Sequence, residues 1–510
     1  MSLSKKQEYL IIAGLLVLIF PFFALLFFVH PQGDDFFFAT KVNEMGVLAF
    51  VKDMYFHWSG RYASMFLGAF DPVIYKSLSL LRIELGAFFM LNIFSVYLLF
   101  KSILKPSISI RKIVLFTLVF YTVLLNAIPD VFEFLYWFPS VTAYQFGLSL
   151  LLIFIANIFF ERRSRISSIR YLIINSIIAI IIVGLLELFI IPIGLSLLIS
   201  IYIRFKNKGS LKIDIFILLI SFVFSMIMIV GPGNYERVIV ENPTGVIVGF
   251  YLAIKSLIYL LGYLFQNPTF VLGNILFMGF GYKLISKDSY INFTIPRTHP
   301  IWSLLFTITI TYLIFLPSTL ALTSLPAGRI FDLAAFIFSL LWLFTLISFQ
   351  AYYKEKHSFN ISKFYQSLIA LLMLMFVFSG IFITNPYEFA QKKKGSVLIY
   401  GNILNAYNTL FFEAKAFDKD MIERYQNFKT AEENNKKTLI VKPLEHHPEM
   451  LIFVDITDLQ SPGTWIFNWE AKYYGMDSIC IEKSDTIIQE RIKQEIQEDL
   501  FYENEQNSLR

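Results

Sequence analysis

Long apolar runs, separated by short polar loops of two alternating kinds, fill residues 1–384. The first run, 10–29, follows Lys5 and Lys6, and its length of about 20 residues suits a membrane-spanning helix. Pro31, Gln32, Gly33 and Asp34 follow it where a small-x-small cleavage site would stand, so it reads as an uncleaved first helix. One kind of loop is basic: Lys101, Lys105, Arg111 and Lys112; ERRSRISSIR at 161–170; RFKNKGSLK at 204–212; Lys283, Lys287 and Arg297; and YYKEKHSFNISK at 352–363. The other kind carries acids, aromatics, Gly and Pro: HPQGDDFFF, PDVFEFLYWFPS, GPGNYERVIVENPTG and LPSTLALTSLPAGR. The bias of Lys and Arg toward cytoplasmic loops places the first kind inside, with the N-terminus, and the second kind outside.

The alternation also divides ambiguous stretches. Residues 171–203 are too long for one span and basic at both ends, so they predict a hairpin turning at Glu187 on the outer side. Residues 246–265 carry Lys255 in mid-run, and a span there would put Lys283, Lys287 and Arg297 outside. An interfacial or re-entrant helix is therefore expected, with about 11 spans in all and the last near 364–384. From 385 onward the composition turns watery, with KKK at 392–394 and a charged C-terminal run. The runs TLIVKPL, MLIFVDI and SICIEK read as short strands. They predict a small α/β domain over 385–510 on the outer face, its first helix near 398–429. The fold class is thus an all-α polytopic membrane domain, 1–384, with a small extracytoplasmic α/β domain after it.

Composition agrees. The 510 residues are 56% hydrophobic and 16% charged, with a mean hydropathy of +0.62, whereas soluble domains run nearer 25% charged. The net charge of +5 is small and dispersed, which argues against nucleic acid as a partner. Cys480 is the sole cysteine, so no intrachain disulfide exists.

The ionisable residues that look out of place collect on the outer side. Asp34 and Asp35 stand in the first outer loop, 30–80, with Trp58 and Arg61 in HWSGRY. Glu133 and Trp137 lie in EFLYWFPSVTAY, Glu187 in GLLELFIIP, Arg237 in GPGNYER and Arg329 in LPAGR. Charge at a membrane edge is costly and tends to mark function. Arginine holds phosphate through a rigid fork of donors. A partly desolvated carboxylate serves as a general base or holds a divalent cation. Aromatics stack on sugar faces or line the path of an isoprenoid tail. Plainer readings stand beside these. Acids outside a span are by default solvated, and Arg61 and Arg329 can be anchors that snorkel to headgroups. Trp58 and Trp137 suit an aromatic belt, Glu187 suits a helix cap, and GPGN reads as a turn with Gly at positive φ.

The acidic pair after the first span, GDDFF, resembles the hallmark position of the GT-C class of polytopic glycosyltransferases. The ordered set GDDFFF, HWSGRY, FEFLYWFPSVTAY, GLLE, GPGNYER, LPAGR and NWEAKYYGMDSI is similar to a bacterial GT-C-like family known only as a domain of unknown function. The resemblance implies a membrane-embedded, inverting transfer of sugar from a polyprenyl-phosphate donor to an extracytoplasmic glycan or lipid acceptor, in building envelope polysaccharide at the bacterial inner membrane. It implies a role as base or metal ligand (Mg²⁺ or Mn²⁺) for Asp34 or Asp35; the chemistry of the residue types gives substrate-binding roles to Arg61, Glu133, Glu187, Arg237, Arg329, Trp58 and Trp137. Two other classes fit the same residues. A flippase of lipid-linked glycans requires essential acids inside spans and cytoplasmic access. A non-catalytic assembly factor would use its C-terminal domain for docking.

Overall fold

The computed structural model describes residues 4–104, 108–161, 168–241, 245–267, 270–275, 277–278, 299–356, 383–384, 398–399, 401–453, 455 and 464–481. The expected span at 364–384, the loop with Lys283, Lys287 and Arg297, and the C-terminal charged run lie outside the described residues, apart from Ile383 and Thr384.

Among the described residues nine helices are long and apolar enough to cross a membrane, and Ile169–Leu185 is a shorter apolar helix. The protein is thus a multi-pass helical membrane protein by length and composition. The first helix, Lys5–Leu25, begins at Ser4, whose hydroxyl accepts from Gln7 N–H while the Gln7 side chain returns to Ser4 N–H. This reciprocal cap satisfies two amide donors that a helix start leaves orphaned. The hairpin expected in 171–203 is present: the helix ending at Leu185 meets Ile190–Lys206 through a single turn, Glu187–Phe189.

The 246–265 segment is not re-entrant. Val246–Gln266 is one continuous helix of 21 residues that packs against Ile301–Leu322, burying Gly249, Leu252, Ala253, Ser256, Leu257, Leu260 and Leu264. The small residues of that stripe allow the approach: a Cβ at Gly249 would lie 2.9 Å from the Leu320 Cα. A run with one buried stripe needs no break, and it is long and apolar enough to cross. Polar side chains bind neighbouring spans where lipid offers no donor. Asn92 donates to Ser149 (2.8 Å) and accepts from the Tyr121 hydroxyl (2.5 Å), joining three helices in the core.

The C-terminal segment is helical first: Asn402–Asn408, a π turn Thr409–Glu413, then Ala414–Glu433. Strands Thr438–Val441 and Ser478–Ile481 pair in parallel, Thr438 opposite Ser478, with helix Thr464–Tyr473 between them in sequence. MLIFVDI, expected as a strand, is not one over its described residues. The Leu451 and Ile452 N–H groups both bond Pro448 O, making a turn that buries Met450, Leu451 and Ile452. Those three side chains join Ile403, Ala406, Phe417 and Met421 in the same apolar core as the membrane helices. The C-terminal segment therefore shares part of the membrane helices' core, while Phe428, Ala431, Val441, Phe467, Ala471, Met476 and Ile479 form a second cluster of its own.

Candidate functional site

Five loops meet at one end of the bundle, and each sequence-derived residue lies in or beside the junction. The geometry starts from backbone packing. Ser59–Arg61 and the GPGN segment press so closely that a Cβ at Gly60 would lie 2.0 Å from Met228 O, and one at Gly233 would lie 2.4 Å from Trp58 N. Asn234 fastens the contact, accepting from Gly60 N–H (2.9 Å) and donating to Met228 O (2.8 Å). The glycines of GPGN therefore serve close approach rather than positive φ. Among the described glycines positive φ occurs at Gly33, Gly46, Gly245 and Gly475.

That contact sets two arginines. Arg61 forks onto Glu187, Nε to Oε2 at 2.9 Å and Nη2 to Oε1 at 2.5 Å, both side chains about three-quarters buried. Burial works against the Arg61 charge, but Glu187 and Tyr144 outweigh it and hold the guanidinium pKa above its ordinary value. Arg237 lies over the Trp58 ring at 5.4 Å, within the electrostatic reach of Glu187. Trp58 is itself 46% exposed. A cation over an indole face is attracted by the ring quadrupole.

The second group surrounds Arg329. Its backbone N–H donates to Glu133 Oε2 at 2.5 Å, and its Nη1 lies 3.6 Å from Glu133 Oε1. The guanidinium sits over Trp137 (5.0 Å) and Tyr144 (5.7 Å). Gly328 makes room, since a Cβ there would meet Glu133 Oε2 at 2.6 Å. Tyr144 lies beneath Arg329 and within the electrostatic reach of Arg61, so one side chain neighbours both arginine groups.

The acidic pair begins helix Asp34–Met45, after Gly33 at φ 57°. The two acids have different surroundings. Asp34 is partly exposed and neighbours Arg329; burial raises its pKa and the Arg329 charge opposes the rise. Asp35 is 2% exposed, and its Oδ2 accepts from Gln32 N–H at 2.7 Å. Asp71 is fully buried beside it, with Oδ1 accepting from Val73 N–H at 2.9 Å. The remaining oxygens, Asp35 Oδ1 and Asp71 Oδ2, are buried with no other donor from the protein. Two carboxylates this close and this dry cannot both ionise, so they hold one proton between them. Burial, then mutual repulsion, pushes Asp71 well above the ordinary carboxylate range, and burial pushes Asp35 in the same direction.

That shared proton has a pH signature. The folded chain keeps it, whereas the unfolded chain releases it above the ordinary value near 3.8. Stability attributable to the pair therefore falls as pH rises from that value through the raised folded pKa, then levels off. Asp71→Asn places an amide donor where the proton lay, so its melting temperature should decline less than wild type between about pH 4 and pH 9. Parallel curves for the two proteins would show that no proton is shared.

Asp71, Tyr144 and Asn234 were not singled out from the sequence. Asp71 stands directly before Pro72, which reads as an ordinary turn, and its partner lies on another element. No cluster of three or more His, Cys, Asp or Glu side chains suited to a metal occurs among the described residues. Asp35 is buried and engaged with Gln32 and Asp71, which leaves Asp34 as the acid of the pair open to a cation.

Fold and site define a multi-pass helical membrane protein with a junction of paired charges and aromatics where five of its loops meet. Comparison with protein-family models, with curated proteins and with solved structures finds no match.

Proposed function

We propose that the protein is a GT-C-type glycosyltransferase of the bacterial inner membrane. It moves a sugar from a polyprenyl-phosphate donor to a glycan or lipid acceptor on the extracytoplasmic side. The N-terminus is then cytoplasmic, and the junction of loops and C-terminal segment face outward. The carrying observation is the juxtaposition of a partly exposed carboxylate, Asp34, with a cation stacked on aromatics, Arg329 over Trp137 and Tyr144. One group suits an acceptor hydroxyl and the other a leaving phosphate. The surrounding apolar helices offer lipid a lateral approach.

In this mechanism the Asp34 carboxylate takes the proton of the acceptor hydroxyl. The freed oxygen pair forms the new bond to the anomeric carbon as the bond from that carbon to the phosphate oxygen breaks. The bonding pair leaves on the phosphate, where Arg329 and Arg237 stabilise the charge. A single displacement inverts the anomeric centre. Burial places the Asp34 pKa above the usual carboxylate range, nearer the working pH, which suits a general base. Asp35 is left to hold the turn through Gln32 and Asp71.

Purified protein in lipid, given a polyprenyl-phosphate monosaccharide and an envelope-glycan acceptor, should release polyprenyl phosphate and extend the acceptor. Cells lacking the protein should accumulate the lipid-linked monosaccharide. Accumulation of complete lipid-linked glycan instead would replace transfer with transport.

A further inference from the structure

The short link between the first helix and the acidic pair is held from outside the membrane bundle. The His30 side chain is fully buried, and its Nε2 lies 3.0 Å from Asp418 Oδ1 in helix Ala414–Glu433. Arg82 donates to the same oxygen at 2.9 Å and to Val29 O at 3.1 Å. The Gln32 side chain is held at both ends by the C-terminal backbone. Its Nε2 donates to Leu451 O (2.9 Å), and its Oε1 accepts from Phe453 N–H (2.8 Å). The main chain of the same residue faces the site. Gln32 N–H donates to Asp35 (2.7 Å), and Gln32 O accepts from Trp137 Nε1 (3.2 Å), the ring beneath Arg329. Beyond the turn, Phe36 and Phe37 pack on Tyr473 and Trp469.

We infer that Gln32 is a positioning residue through which the 451–453 turn, with Asp418 gripping the neighbouring His30 and Arg82, sets the geometry of the acidic turn and of the Trp137–Arg329 stack. This rests on the transferase reading for its catalytic consequence, but the brace itself is a property of the fold. One amide side chain ties the segment to a residue whose two main-chain groups touch both halves of the site. A displacement at Gln32 is therefore passed to the turn that carries the base and to the ring beneath the cation. Reacting groups tolerate little displacement, so the segment acts as a working part of the site.

The test uses the full-length protein in lipid. Gln32→Ala removes both side-chain bonds, and Gln32→Asn, one methylene shorter, keeps an amide that cannot span both partners. Asp418→Ala removes the grip on His30 and Arg82. Lys429→Ala, an exposed position on the same helix, is the control. Turnover should fall about tenfold to a hundredfold in Gln32→Ala and Asp418→Ala, the scale of a small misplacement of reacting groups. Donor KM should stay within about twofold, because the lost interaction orients rather than binds. Amide exchange in the peptide 30–40 should rise in all three variants and not in the control. Exchange unchanged in Gln32→Ala and Asp418→Ala would overturn the brace, whether or not transfer is seen. Raised exchange with normal turnover would overturn its positioning role. Raised exchange in a protein whose wild type transfers no sugar would uphold the brace and remove the transferase reading.

Discussion

Asp34→Asn should fold normally and lose sugar transfer by about a hundredfold or more, the low end for deleting a general base. The amide keeps the size of a partly exposed side chain and removes the charge beside Arg329. Asp35→Asn should behave differently. Its amide can still accept from Gln32 N–H and can donate to the Asp71 oxygen, taking over from the shared proton. Turnover in Asp35→Asn should therefore fall much less. Both are measured as turnover and donor affinity in purified protein. A larger loss in Asp35→Asn would move the base to the buried position. Near-normal turnover in both variants would sink the carboxylate role. Loss of wild-type activity on chelation, restored by Mg²⁺ or Mn²⁺, would recast the pair as metal ligands.

Spans and the gathering of charged loops were legible because lipid imposes length and apolarity on each crossing and leaves charge for the ends. GDD, HWSGR, GLLE, GPGNYER and LPAGR stood out as charge or glycine where apolar sequence was expected. What each residue touches was not legible. Arg61 looked like a substrate ligand or a headgroup anchor, and only the fold brings Glu187 to it from 126 positions away. Asp71 was hidden because a cap residue before proline has an ordinary explanation, and its second oxygen meets Asp35 only across the loop. The docking of the C-terminal segment did leave a signal. Phe417, Met421, Arg424, Phe428 and Ala431 recur at spacings of three and four, one face of a helix otherwise rich in charge, with Phe417 and Met421 in the core of the membrane helices and Phe428 and Ala431 in the segment's own. Composition hid it, since a charged segment reads as solvated even when one stripe is buried.

Arg61→Ala and Arg329→Ala should fail in different ways, although both remove a guanidinium from the same junction of loops. The Arg61 fork is already occupied by Glu187, and Glu187 ends a hairpin between two membrane helices. Removing Arg61 leaves a mostly buried carboxylate without its counter-charge. Fully buried pairs lose about 3–5 kcal/mol when broken, and exposed ones about 1 or less. With both side chains about three-quarters buried, a cost of roughly 2 kcal/mol is expected, read as a lower melting temperature. Arg61→Ala/Glu187→Gln should recover part of it, because no uncompensated charge remains. Arg329 is held more loosely, at 3.6 Å from Glu133, with its cationic face on two rings and Asp34 nearby. Its fork is better placed to turn to a phosphate. Arg329→Ala leaves the buried Glu133 without a guanidinium beside it, although the backbone N–H at 329 still bonds it, so this variant too should melt below wild type. It should in addition lose about tenfold to a hundredfold in kcat/KM, the worth of one charge-assisted bond to phosphate. Arg329→Lys should restore charge without the planar fork and recover only part of the loss. Equal losses of stability in Arg61→Ala and Arg329→Ala, with equal kinetics in the surviving protein, would mean that both arginines are structural and that the donor phosphate binds elsewhere.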